Sequence, residues 1–202
     1  MGIANYFTIS RLFISPIFLI VYLMYQDLGI SFFYLPYVLI FLLGISELSD
    51  AMDGYLARKY NQVTDLGKIL DPMADSISRI AVFLAFTEGV IQLPLLYVFV
   101  FLYRDSMVST LRTICALRGY TLAARPSGKI KAIMQALSIF TILVLMIPFS
   151  LGHLSLETLQ ETSKIIVGIT CVYSAATGIE YLYANRDHIK KILVVKRKSP
   201  SA

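Results

Sequence analysis

The sequence predicts an all-α integral membrane protein: six transmembrane helices with a short N-terminal interfacial segment. Three observations carry that expectation. The 202 residues are 57% hydrophobic and only 15% charged, with a mean hydropathy of +0.70, too apolar for an ordinary soluble domain. Several runs approach the roughly 20 apolar residues that a helix needs to cross a bilayer. The connections between those runs alternate between basic and acidic, as they do in multi-pass proteins.

Taken in order, residues 5–8 form the interfacial segment, and a first span covers residues 7–25, with Arg11 near its start and Pro16 inside it. A turn at residues 26–31 leads to a second span at 32–56. The third, residues 66–86, begins at a capping residue, Thr64 or Asp65. The fourth covers residues 93–117 and contains Arg104, Asp105 and Arg112. The fifth runs over 130–149 and the sixth over 165–183, with Glu180 near its end. Residues 1–195 thus make one membrane domain, followed by a basic tail, 196–202, expected to be disordered.

Three connections hold most of the cations: Arg58, Lys59 and Lys68; Arg118, Arg125, Lys129 and Lys131; then Arg186 through Lys198. The alternate connections hold Asp27, Glu88, Glu157 and Glu161, with Lys164 the exception. By the positive-inside rule the basic set is cytoplasmic, so both termini are expected inside, at the cell membrane. The net charge of +5 follows this topology, which argues for anionic lipid headgroups rather than nucleic acid as its partner. The N-terminus lacks the basic start and small-residue cleavage site of a secretory signal. Cys115 and Cys171 have neither disulfide-framework nor metal-type spacing and read as small core residues.

The stretch from Asp50 to Asp75 concentrates the chemistry. Asp50 and Asp53 are three apart, and Asp71 and Asp75 four apart, so each pair shares a helix face. Ionised groups against apolar helices are expensive. Four of them together repel unless cations answer them, and two Mg²⁺ or Mn²⁺ ions with all-oxygen ligands would do so and would also bind a pyrophosphate. Gly54 permits close approach of a ligand to the helix, Ala57 keeps the next turn small, and Arg58 suits phosphate. Gly67 permits tight helix packing beside the carboxylates.

The pattern Asp50-x-x-Asp53-Gly54-x-x-Ala57-Arg58, then Gly67-x-x-x-Asp71-x-x-x-Asp75, fills every fixed position of the CDP-alcohol phosphotransferase signature. The chain resembles that family over its whole length, including its six-helix membrane domain. The resemblance implies that Asp50, Asp53 and Asp71 bridge two metals, and that Asp75 binds the second and acts as general base. It further implies that Asn5, Thr8, Gly54, Ala57, Arg58, Thr64 and Gly67 bind the CDP-linked lipid, CDP-diacylglycerol, and it suggests a homodimer.

A second constellation concerns the acceptor. Arg104, Arg112, Arg125, Lys129 and Lys131, followed by Gln135, offer a cationic pocket for a phosphate-bearing alcohol. Leu111-Arg112, Gly128-Lys129-Ile130-Lys131 and Asn5-x-x-Thr8-x-x-Arg11 resemble the branch of the family whose acceptor is glycerol 3-phosphate. Two positions depart from that branch: Asp105 stands where Glu is usual, and Ser76 follows Asp75 where Lys is common. They leave inositol phosphate, serine and phosphatidylglycerol open as acceptors. Pairing with other charges is the expectation for Glu47, Arg79 and Glu180, and His153 and His188 receive no role. A cation or proton transporter is the rival from another class. It would place its acids near mid-membrane in repeated halves rather than gathering them at one end.

Overall fold

The computed structural model describes residues 3–59, 65–117, 125–186 and 189, and side chains within them except at 3–9, 50, 51, 53–59, 65–71, 116 and 117. Six α-helices and, among the described residues, no strand make up the fold: α1 Ile3–Leu23, α2 Leu35–Lys59, α3 Asp65–Ala85, α4 Leu95–Leu117, α5 Pro126–Ser150 and α6 Leu156–Ala184. Thr64, Arg118 and His188 lie outside the described residues.

The helices depart from expectation at their starts. Residues 5–8 are the first turns of α1 rather than a separate interfacial element, because no Gly or Pro interrupts the chain before Pro16. Helix α5 begins at Pro126, not residue 130, since a proline with its fixed φ is suited to the first helical position and the extended Arg125 precedes it. Helix α6 begins nine residues before the expected span, at Leu156. The Ser155 hydroxyl accepts the Thr158 N–H at 3.1 Å and Glu157 sits in the first turn, both of which stabilise a helix start. Glu157, Glu161 and Lys164 are therefore helical.

Contacts fix an up-and-down arrangement. Arg11 meets Asp75 while Phe18 and Tyr22 meet Phe86, so α1 and α3 run parallel. Ser76 meets Asp105 while Phe83 meets Phe101, so α4 runs back along α3. Arg125 meets Glu180 while Ser138 meets Thr170, so α6 runs back along α5. Helix α1 packs against both α2 and α3.

This topology divides the bundle into two ends. One holds an apolar core: Phe18 and Tyr22 of α1, Leu35 and Leu39 of α2, Phe83 and Phe86 of α3, Phe101 of α4, Ile142 and Met146 of α5, and Val167 of α6. Edge-to-face rings bind it, with centroids 5.5 Å apart for Tyr22 and Phe86. Both cysteines are buried and free, as expected of small core residues. The other end holds the buried polar groups, among them Arg11, Ser49, Asp105, Lys131 and Gln135.

Every helix also turns large apolar side chains outward: Phe13, Phe41, Leu84, Leu96, Ile133 and Val172 are all exposed. A water-soluble exterior does not carry so continuous an apolar surface. Two helices, α5 and α6, are long and apolar enough to cross a membrane. The acidic and basic residues of α2, α3 and α4 interrupt their apolar runs.

At the apolar end, the turn from α3 to α4 closes through the Leu93 N–H on the Phe86 carbonyl at 2.8 Å. The Tyr22 hydroxyl is wedged into it, donating to the Glu88 carbonyl at 3.2 Å and accepting from the Ile91 N–H at 3.3 Å. Gly89 has φ of 67°, and a Cβ there would lie 3.1 Å from the Tyr22 ring. Gly29 has a similar φ of 70° with nothing within 4 Å. Both positions disfavour a side chain by about 1 kcal/mol, but only the first adds a clash. Gly89→Ala is expected to lower the unfolding temperature in detergent about twice as far as Gly29→Ala. Equal depressions would mean that Tyr22 does not constrain the turn.

Candidate active site

The carboxylate pairs sit on two helices consecutive in the chain, each packed against α1. Asp50 and Asp53 lie in the C-terminal half of α2, Asp71 in the N-terminal half of α3 and Asp75 at its middle. Gly54, Ala57 and Arg58 follow on the last turns of α2, Gly67 lies in the first turn of α3, and Asn5 and Thr8 in the first turns of α1. Pro72 has no N–H to give to the Lys68 carbonyl, so the ladder of α3 is interrupted between its two aspartates.

Helix α1 ties these two carboxylate-bearing helices together. Arg11, only 2% exposed, makes an ion pair with Asp75. The neighbouring Ser10 shares a hydrogen bond of 3.2 Å with Ser49, the residue before Asp50. Two adjacent residues of α1 thus clasp α2 beside Asp50 and α3 at Asp75. Arg79, one turn along from Asp75, adds a second guanidinium 3.6 Å from its other oxygen. The Asp75 side chain keeps 30% of its surface exposed, so it is held without being sealed. The sequence contained a signal for this partner, since an arginine within an apolar run needs a buried anion, but it did not say which.

A second charged cluster joins α3, α4 and α5. Asp105 is buried, and Lys131 Nζ donates to both of its oxygens at 2.7 Å. Arg104 donates to Oδ1 at 3.0 Å and the Ser76 hydroxyl to Oδ2 at 2.9 Å. Both oxygens are thereby filled. Gly178 of α6 lets the Arg104 stem cross closely, since a Cβ there would stand 3.0 Å from Arg104 Cγ.

The expected acceptor cations thus fall into different environments. Arg104 and Lys131 are held by Asp105. Arg125 pairs with Glu180 at 2.6 Å on the surface. Lys129 is exposed in the first turn of α5, and half-buried Arg112 makes no hydrogen bond or ion pair with a described residue. Gln135, one turn beyond Lys131 and fully buried, has neither amide atom bonded to a described residue. The expectation of charge pairing holds for Arg79 and Glu180.

Concavities lie elsewhere as well. An open groove of about 660 Å³ runs along α4 and α6 at the apolar end; among the described residues its charges are Glu161 and Lys164, which neutralise each other at 2.8 Å. A cavity of about 30 Å³ beside Ser46, Glu47, Ser78 and Arg79 is large enough for a water.

Comparison with known proteins adds an independent line. A profile described as CDP-alcohol phosphatidyltransferase matches residues 1–176. A Bacillus subtilis protein named CDP-diacylglycerol–glycerol-3-phosphate 3-phosphatidyltransferase is 30% identical over 197 residues, covering 94% of this chain and 97% of its own. Proteins of the same name from Rickettsia typhi and Aquifex aeolicus are 30% and 29% identical, covering 93% and 91% of this chain and 98% and 99% of their own.

The two kinds of ion pair predict different costs. Lys131→Met breaks a pair whose side chains are 5% and 7% exposed and is expected to destabilise by about 3 kcal/mol. Arg125→Met breaks one whose side chains are 39% and 47% exposed and should cost less than about 1 kcal/mol. Thermal or denaturant unfolding in detergent compares them directly.

Proposed function

The chain belongs to the CDP-alcohol phosphatidyltransferase family, and we propose that it transfers a phosphatidyl group from CDP-diacylglycerol to glycerol 3-phosphate, releasing CMP. The observation that carries this reading is the gathering of both constellations at one end of the bundle. The carboxylates of α2 and α3 and the cations of α4 and α5 share that end, and relatives of near-equal length bear the name of this reaction.

The oxygen donors of Asp50, Asp53, Asp71 and Asp75 suit two hard cations, Mg²⁺ or Mn²⁺, and their places on two helices clasped by α1 fit such a pair. Bound there, the metals would neutralise charge on the pyrophosphate and on the departing CMP. The chain's own residues do the rest. Gly54, Ala57, Arg58, Thr64, Gly67, Asn5 and Thr8 hold the CDP-lipid. Arg112, Lys129, Lys131, Arg104 and Arg125 receive the phosphate of the acceptor. The acceptor hydroxyl attacks the phosphorus that carries diacylglycerol. A new P–O bond forms there, the P–O bond to CMP breaks, and Asp75 takes the hydroxyl proton. Arg11 and Arg79 fix the direction in which that carboxylate faces.

All six helices are proposed to span the cell membrane, with both termini and the carboxylate end on the cytoplasmic side. The outward apolar residues on each helix and the one-sided distribution of cations support that topology. A soluble acceptor and CMP then exchange with the cytoplasm while acyl chains remain in lipid. A homodimer is part of the same proposal.

Purified protein in detergent is expected to release CMP from CDP-diacylglycerol only when Mg²⁺ or Mn²⁺ and glycerol 3-phosphate are both present. Asp75→Asn should lose turnover by about 10²-fold or more while retaining more metal binding than Asp50→Asn. Full activity of Asp75→Asn would remove it as the base. Turnover with inositol phosphate, serine or phosphatidylglycerol, and none with glycerol 3-phosphate, would overturn the acceptor alone.

A further inference from the structure

The two positions that depart from the pattern of the branch, Ser76 and Asp105, lie 29 residues apart in sequence and touch across α3 and α4. The Ser76 hydroxyl donates to Asp105 Oδ2 at 2.9 Å, a short neutral donor against a short anion. A neutral hydroxyl leaves the charge of Asp105 to Lys131 and Arg104. The carboxylate is buried and both oxygens are taken up by these donors, so it is not free to hold a ligand itself. What it does is gather two cations from α4 and α5 and, through Ser76, key them to the residue next to Asp75.

We propose that Ser76 and Asp105 act as one positioning unit, which sets the register between the acceptor-binding cations and the carboxylate that takes the acceptor's proton. This rests on the phosphatidyl-transfer reading given above. Reaction rates fall steeply when a bound group is displaced by even an ångström from the reacting atoms, so a linkage at this place is felt at the acceptor and not at the nucleotide.

The test is steady-state kinetics on the full-length protein in mixed micelles, varying each substrate in turn. Ser76→Ala should lower kcat/KM for glycerol 3-phosphate by about 5-fold and Asp105→Asn by about 10-fold or more, with the KM for CDP-diacylglycerol unchanged within about twofold. Ser76→Thr keeps the hydroxyl and should restore the wild-type value. Ser76→Ala combined with Asp105→Asn should lose less than the product of the two single losses, because both act on one hydrogen-bonded cluster. If Asp105→Asn does not fold, Ser76→Ala against Ser76→Thr decides the matter. The proposal is overturned if Ser76→Thr is as impaired as Ser76→Ala, if the two losses multiply, or if the KM for CDP-diacylglycerol rises in step. The cycle is measured with whichever alcohol the wild type turns over, so a different acceptor overturns the acceptor assignment and leaves this linkage under test. Absence of turnover with every alcohol would overturn both.

Discussion

A guanidinium sealed inside a helical bundle has to find an anion, and the pairing of Arg11 with Asp75 is the contact on which the arrangement of the polar end depends. Arg11 is almost wholly buried, so its partner cannot be traded for water. With Ser10 bonded to Ser49 one residue earlier, α1 is locked simultaneously to α2 and α3. The spacing between the two carboxylate pairs is consequently set by a helix that carries no member of either pair. Rigid placement of this kind suits the proposed two-metal site, because donors must already be near their working positions when charge develops.

The bundle separates its tasks by depth. Aromatic and aliphatic packing at one end, around Phe18, Phe86 and Met146, supplies cohesion that needs no hydrogen bonds. Several polar side chains elsewhere bind one another, Asp105 to Lys131, Arg104 and Ser76, and Ser138 to Thr170, while Gln135 is buried without a described partner. Asp75 and Asp105 stand near the middle of α3 and α4, where an ionised group is costly unless a partner of opposite charge answers it.

The cations of the polar end are not equivalent, although they look alike as a run of basic residues. Lys131 and Arg104 are held in fixed directions by one carboxylate, Arg125 is answered on the surface by Glu180, and Lys129 is exposed. Oriented cations discriminate among phosphate-bearing ligands by geometry, whereas an exposed lysine mainly attracts charge. This difference gives Asp105 a place in the proposed acceptor site although both its oxygens are taken up.

The sequence by itself determined the helical class, the number of helices and the family signature from Asp50 to Asp75. Composition and helical spacing are local properties, and the signature from Asp50 to Asp75 is almost contiguous, so all of this could be read from neighbouring residues. Helix starts were harder. The early beginning of α6 at Leu156 turned on a serine cap and a tolerated run of polar residues, which hydropathy alone reads as loop. Only the tertiary structure decided that Arg11 answers Asp75, that Ser10 reaches Ser49, and that Ser76 and Asp105 meet. These pairs are separated by 64, 39 and 29 residues. A buried charge announces that a partner exists, but which partner it has depends on how the helices pack, and that is a property of the assembled bundle.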